Sequence, residues 1–216
     1  MRDILLFDLD GTLTDPKEGI TLSVQYALVT GGIDAPDPDA LCCFIGPPLK
    51  EQFMDYAGWN DQEGEAAVAR YRERFGTVGW AKNKVYDGMH DLLAALREAG
   101  FTLAVATSKP FVYAEQILRH FGLLDYFHVA VGSELDGTRT DKAEVIEETL
   151  RQLGQPDRSR VLMIGDRRHD VEGAAKCGVP CVGVRYGFAA EGELEAAGAC
   201  HVADSVEALR DYLLAQ

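Results

Sequence analysis

The strongest constraint in this sequence is the stretch Ile4-Leu5-Leu6-Phe7-Asp8-Leu9-Asp10-Gly11-Thr12-Leu13-Thr14. An apolar run leads directly into two carboxylates, then Gly and Thr. The run reads as a buried parallel strand, and the glycine as the turn that ends it. Such a strand delivers Asp8 and Asp10 at its carboxyl end, where open α/β sheets build their sites. Two carboxylates at an apolar strand mouth repel each other and are costly to desolvate. A bound cation is the usual remedy, and all-oxygen donors suit Mg2+. An Asp at a strand end can also begin a turn or cap a helix, but that fits one Asp better than two.

The same pattern recurs. Phe101 to Ala106 reads as a strand running into Thr107-Ser108-Lys109-Pro110. Thr107 reads equally as a ligand-binding hydroxyl or as a helix N-cap, and Pro110 suits the first position of the next helix. Lys109 and Lys142 both fall at helix starts, where the dipole disfavours a cation and attracts an anion. Before Lys142, Asp141 has the spacing of an N-cap, with Glu144 as its box partner. Arg160 to Ile164 is a further apolar strand, ending at Gly165-Asp166. Asp170 lies four residues on, on the same helical face as Asp166 if the chain is helical there. Acids also favour helix starts for purely local reasons, and Asp170 fits that reading too.

Between Thr14 and Val85 the pattern is helical instead. Ile20, Val24, Ala27 and Leu28 share one face of a helix ending near Gly31-Gly32. Two short helices are broken at Gly46-Pro47-Pro48, and a longer one carries Ala66, Ala69, Phe75 and Val78. No strand-like alternation appears. Residues 1–14 and 85–216 therefore read as an α/β core of the Rossmann-like parallel-sheet kind, and residues 15–84 as an inserted α-helical cap.

Charge and cysteine content narrow the function classes. With 21 basic and 35 acidic residues the net charge is -14, which argues against a nucleic-acid surface or an anionic membrane as partner. A small anionic substrate remains compatible if a metal and a few cations reverse the sign locally. The five cysteines are odd in number and contain no Cys-x-x-Cys pair, which predicts reduced thiols in a cytoplasm. The N-terminal apolar run is cut by Asp8, unlike a signal peptide, and no stretch is long enough to span a membrane.

Taken in order, Asp8-Leu9-Asp10-Gly11-Thr12, Thr107, Lys142 and Gly165-Asp166 resemble the four motifs of the haloacid dehalogenase-like superfamily of phosphohydrolases, most like its phosphoglycolate phosphatase group with a helical cap. The resemblance covers the chain outside the helical insert. It implies that Asp8 is a nucleophile and Asp10 an acid/base that also lends a backbone carbonyl to Mg2+. Asp166 completes the metal site, with Asp170 at the metal or beside it. Thr107 and Lys142 would hold the phosphoryl group. Gly11, Thr12, Ser108 and Lys109 would contact substrate from the core, and Gly46 and Lys50 from the cap.

The implied activity is Mg2+-dependent hydrolysis of a small phosphorylated metabolite through an aspartyl-phosphate, by a monomer or homodimer. Nucleotide 5'-monophosphates and sugar phosphates compete with phosphoglycolate as substrates. Asp10 argues against dehalogenation, because halide needs no proton. Leu49 stands where mutase relatives carry a phosphate-binding Arg, which counts against a phosphomutase. A phosphonatase would need a Schiff-base lysine in the cap; Lys17 and Lys50 are there, but nothing in the sequence marks either as buried, which counts against that reading. A non-catalytic sensor of a phosphorylated ligand is the alternative of a different class.

Overall fold

The computed structural model describes residues 2–216. The chain forms two compact units by its internal contacts, Met1–Asp15 with Val85–Gln216, and Pro16–Lys84.

In the first unit, β1 (Ile4–Phe7) leads to β2 (Thr14–Asp15). After the second unit the chain resumes with β3 (Lys84–Val85), which pairs with β2 as a two-stranded sheet. Next come β4 (Thr102–Pro110), β5 (Val129–Ser133), β6 (Val161–Gly165), β7 (Cys181–Val184) and β8 (His201–Ala203). These six longer strands make one parallel sheet, ordered β5-β4-β1-β6-β7-β8. A parallel sheet of this kind is covered on both faces and so needs strands that are apolar throughout. Every residue of β1 and of β6 is buried. This answers the expectation of an α/β parallel-sheet core.

The register explains which residues meet. Ile4 and Leu6 pack in one cluster with Ala104, Ala106, Val161 and Met163 from the adjacent strands, and with Val145, Ile146 and Leu150 behind them. Leu5, Phe7, Leu103, Val105, Leu162 and Ile164 point to the other face and are equally inaccessible to solvent.

Helices join the strands: α4 (Met89–Glu98), α5 (Phe111–His120), α6 (Lys142–Gln152), α7 (Arg168–Lys176), α8 (Glu193–Ala197) and α9 (Val206–Leu214). Some details depart from the sequence reading: Thr107 and Lys109 lie within β4, not at a helix start. Pro110 is the cap before α5, with Phe111 the first helical residue. Asp141 does cap α6, its Oδ1 accepting the Ala143 N–H at 2.8 Å, but without the reciprocal bond from Glu144. Its second oxygen is taken by the Lys176 ammonium at 3.1 Å.

The second unit is helical: α1 (Lys17–Thr30), a short 3-10 segment (Pro38–Phe44), α2 (Leu49–Ala57) and α3 (Asp61–Arg74), the last running into a π-turn over Phe75–Gly79. The apolar face read from the sequence is the buried face of α1: Ile20, Val24, Ala27 and Leu28. The buried rings of Phe44 and Phe53 pack against each other in a tilted arrangement, centroids 5.0 Å apart and planes at 55°. Asn60 and Glu63 form a complete capping box at the start of α3, with bonds of 3.1 and 2.9 Å. Among the described residues, no helix is long and apolar enough to cross a membrane.

Because Leu6 lies in the central strand and touches both neighbouring strands' layer, truncating it leaves a void the sheet cannot close. Leu6→Ala is expected to destabilise the protein by about 2–5 kcal/mol, read as a lowered urea midpoint with unchanged slope.

Candidate active site

Asp8 immediately follows β1, Thr107 lies in β4, and Asp166 immediately follows β6. Because β4 and β6 flank β1, their carboxyl ends deliver all three side chains to one region. Lys142 arrives from the first turn of α6 and is almost fully buried. Its Nζ lies 2.8 Å from Asp8 Oδ1, 2.8 Å from Asp170 Oδ1 and 3.1 Å from the Ala106 carbonyl oxygen. Burial alone would favour a neutral amine. Asp170 and Asp8 outweigh it and hold the Lys142 pKa above its usual value, so the group stays an ammonium.

The carboxylates of Asp8, Asp166 and Asp170 each place an oxygen within 4.8 Å of the others. One oxygen of each outer acid is fixed by backbone. Asp166 Oδ2 accepts the Phe188 N–H at 2.8 Å, and Asp170 Oδ2 accepts the Arg167 N–H at 3.0 Å. Asp170 is thus both an acid of the first turn of α7 and a member of the cluster. Asp166 Oδ1 is buried and has no hydrogen-bond partner among the described residues. Burial pushes the Asp166 pKa well above the carboxylate range, and repulsion from Asp170 and Asp8 adds to it. Burial also raises that of Asp170, against the pull of Lys142. One ammonium does not neutralise this cluster. A divalent cation with oxygen ligands fits the excess charge, the orphaned Asp166 oxygen and the all-oxygen donor set. The Asp10 carboxylate is not part of this cluster. It is bonded to the Lys109 ammonium, and burial raises its pKa although Lys109 opposes the shift.

Glycines let the backbone close around these acids. A Cβ on Gly11, whose φ is +79°, would sit 2.1 Å from Asp166 Oδ2. A Cβ on Gly187 would fall 2.4 Å from both Asp166 Cβ and the Gly11 carbonyl oxygen. The Gly11 N–H donates to the Thr14 carbonyl at 2.8 Å, closing the turn after Asp10. Thr12 is fully buried, and its carbonyl accepts the Tyr186 hydroxyl at 3.0 Å. Thr107 Oγ1 accepts the Lys109 N–H at 3.3 Å, and the Ser108 carbonyl accepts the Ser133 hydroxyl at 2.7 Å. Gly46 and Lys50 belong to the other unit. Gly46 has φ +104°, and the Lys50 ammonium pairs with Asp61 at 2.6 Å and Glu65 at 3.2 Å.

The 186–188 segment escaped the sequence reading. It seats Asp166 through the Phe188 N–H and braces Thr12 through Tyr186. The available signal was a glycine shortly after the apolar strand β7, without the acid that marked the ends of β1 and β6.

Residues 5–184 match the family model described as haloacid dehalogenase-like hydrolase, and the chain belongs to that family. It is 52% identical over 209 residues to a 5'-nucleotidase from Pseudomonas aeruginosa, covering 97% of this chain and 94% of that one. It is 43% identical over 185 residues to the tyrosine-protein kinase PtkA of Mycobacterium tuberculosis, covering 86% of this chain but 62% of that protein. A phosphoglycolate phosphatase from Rhodobacter capsulatus is 33% identical over 194 residues, 87% of this chain and 86% of its own. Among solved structures, that of a predicted phosphatase from Clostridium acetobutylicum superposes over 100% of both chains with a TM-score of 0.96 and 45% identity.

Gly187→Ala should displace Asp166 without removing any ligand. It is expected to weaken Mg2+ binding about 10- to 100-fold, measured by titration calorimetry on the folded protein.

Proposed function

We propose that this chain is a Mg2+-dependent phosphatase of small phosphate monoesters that works through an aspartyl-phosphate on Asp8. The observation that carries this reading is the Asp8 carboxylate, with one oxygen held by Lys142 and the acids of a cation site around it. A carboxylate so placed is held in one orientation, as a nucleophile requires.

Asp8, Asp166 and Asp170 would hold the metal, with the Asp10 carbonyl as a further donor. Bound there, Mg2+ would offset phosphoryl charge against the surrounding carboxylates. The chain's own residues do the rest. Asp8 attacks phosphorus as the bond to the leaving oxygen breaks, and Asp10 gives that oxygen its proton. Asp10 then takes a proton from the water that cleaves the bond between phosphorus and Asp8. Lys142, the Thr107 hydroxyl and the turn at Gly11 and Thr12 stabilise the charge carried by the phosphoryl oxygens. Ser108 and Lys109 border this region.

For the substrate, nucleoside 5'-monophosphates now lead and phosphoglycolate follows. The 52% identity to a nucleotidase extends over nearly both whole chains, against 33% for the phosphoglycolate phosphatase. The phosphonatase alternative is disfavoured by the cap lysines. Lys17 is paired with Asp39 at 2.9 Å, and Asp61 and Glu65 push the Lys50 pKa up, away from the free amine an imine requires.

A phosphate-release screen over nucleoside 5'-monophosphates, phosphoglycolate and sugar phosphates, with Mg2+ and with chelator, tests the reading. ATP with a tyrosine peptide belongs in the same screen, because PtkA is named a kinase. The expected result is turnover of a monoester that needs Mg2+ and falls about 10⁴-fold or more in Asp8→Asn. Turnover that survives in Asp8→Asn, or phosphoryl transfer to the peptide without hydrolysis, would overturn it.

A further inference from the structure

Lys109 and Asp10 form a buried ion pair that the mechanism above does not use. Their side chains are 6% and 14% exposed, and the Lys109 ammonium donates to Asp10 Oδ2. The other oxygen, Oδ1, is buried and has no hydrogen-bond partner among the described residues. The carboxylate is therefore asymmetric. Flipping it would break a charge-assisted bond in a poorly solvated place.

The backbone behind Lys109 is built to aim it. The register between β4 and β5 shifts between Ala106 and Pro110, and such an irregularity re-aims a side chain. The segment is then pinned from β5. Ser133 donates to the Ser108 carbonyl, and Gly132 lies so close that a Cβ there would sit 2.5 Å from the Lys109 carbonyl oxygen.

We infer that Lys109 is a positioning residue for Asp10, anchoring Oδ2 so that Oδ1 is the oxygen that exchanges the proton with the leaving group and then with water. The inference rests on the phosphatase reading above and deepens it. It differs from a direct contact between Lys109 and the phosphoryl group, which would act equally on every ester. Proton delivery matters according to the leaving group. An alkoxide must be protonated as its bond to phosphorus breaks, whereas p-nitrophenolate leaves without a proton. A residue that acts through Asp10 must therefore matter much more for alkyl phosphates.

The test is Lys109→Met in the full chain with Mg2+, on p-nitrophenyl phosphate and on an alkyl monoester such as a nucleoside 5'-monophosphate. The expected loss in kcat is about 100-fold on the alkyl ester and less than about fivefold on the aryl ester, with KM nearly unchanged. Lys109→Gln keeps a donor. It should recover part of the alkyl activity, and it carries the comparison if the Met variant does not fold. In an Asp10→Ala background the Lys109 substitution should add little further loss, because the two act as one unit. Equal losses on both esters, a change confined to KM, or an undiminished loss in the Asp10→Ala background would each overturn the inference and leave the phosphatase reading standing. Wild-type activity that Asp8→Asn retains would remove both together.

Discussion

The site depends on one buried cation. Lys142 sits between Asp8 and Asp170 at 2.8 Å from each, in a region where Asp166 adds another carboxylate. Without its ammonium the three acids would be desolvated against one another. Breaking a buried pair by removing one partner typically costs about 3–5 kcal/mol, because the charge left behind has no compensation. The same contact that keeps the acids together also orients Asp8. A substitution of Lys142 would therefore change the stability of the acid cluster and the orientation of Asp8 together.

The sheet order makes the coupling possible. A central strand flanked by two parallel neighbours presents three adjacent carboxyl ends, and the helix entering after β5 brings its first-turn lysine to the same edge. The apolar cores of β1, β4 and β6 fix the register, and the register fixes which polar residues follow the last buried position. Packing in the core thus sets the positions of Asp8, Thr107 and Asp166. Glycine at positions 11 and 187 then allows a spacing that any side chain would block.

Much of this was legible in the chain. The run Ile4 to Phe7 announced a buried strand, and the acids at its end announced a charged site, because both signals are local. The α/β class followed from the repetition of strand and helix patterns. The helical face of α1 was readable from its spacing alone. What could not be read depends on residues distant in sequence. The bond from the Phe188 N–H to Asp166 joins residues 22 apart, and the pair of Lys109 with Asp10 joins residues 99 apart. The pairing of Lys176 with the Asp141 oxygen not used in the cap joins residues 35 apart and was equally out of reach. Substrate choice is less legible still, since it rests on relatives that agree on the phosphate and differ on what carries it.

The proposed mechanism attaches phosphorus covalently to Asp8. It is tested most directly by mixing excess enzyme with phosphorus-labelled monoester, quenching in acid during the first turnover and mapping the labelled peptide. The expected product is an acyl phosphate, released by hydroxylamine, on the peptide carrying Asp8. Label on another residue, or product formed during the first turnover with no labelled protein even when Asp10→Asn slows the hydrolytic step, would contradict it.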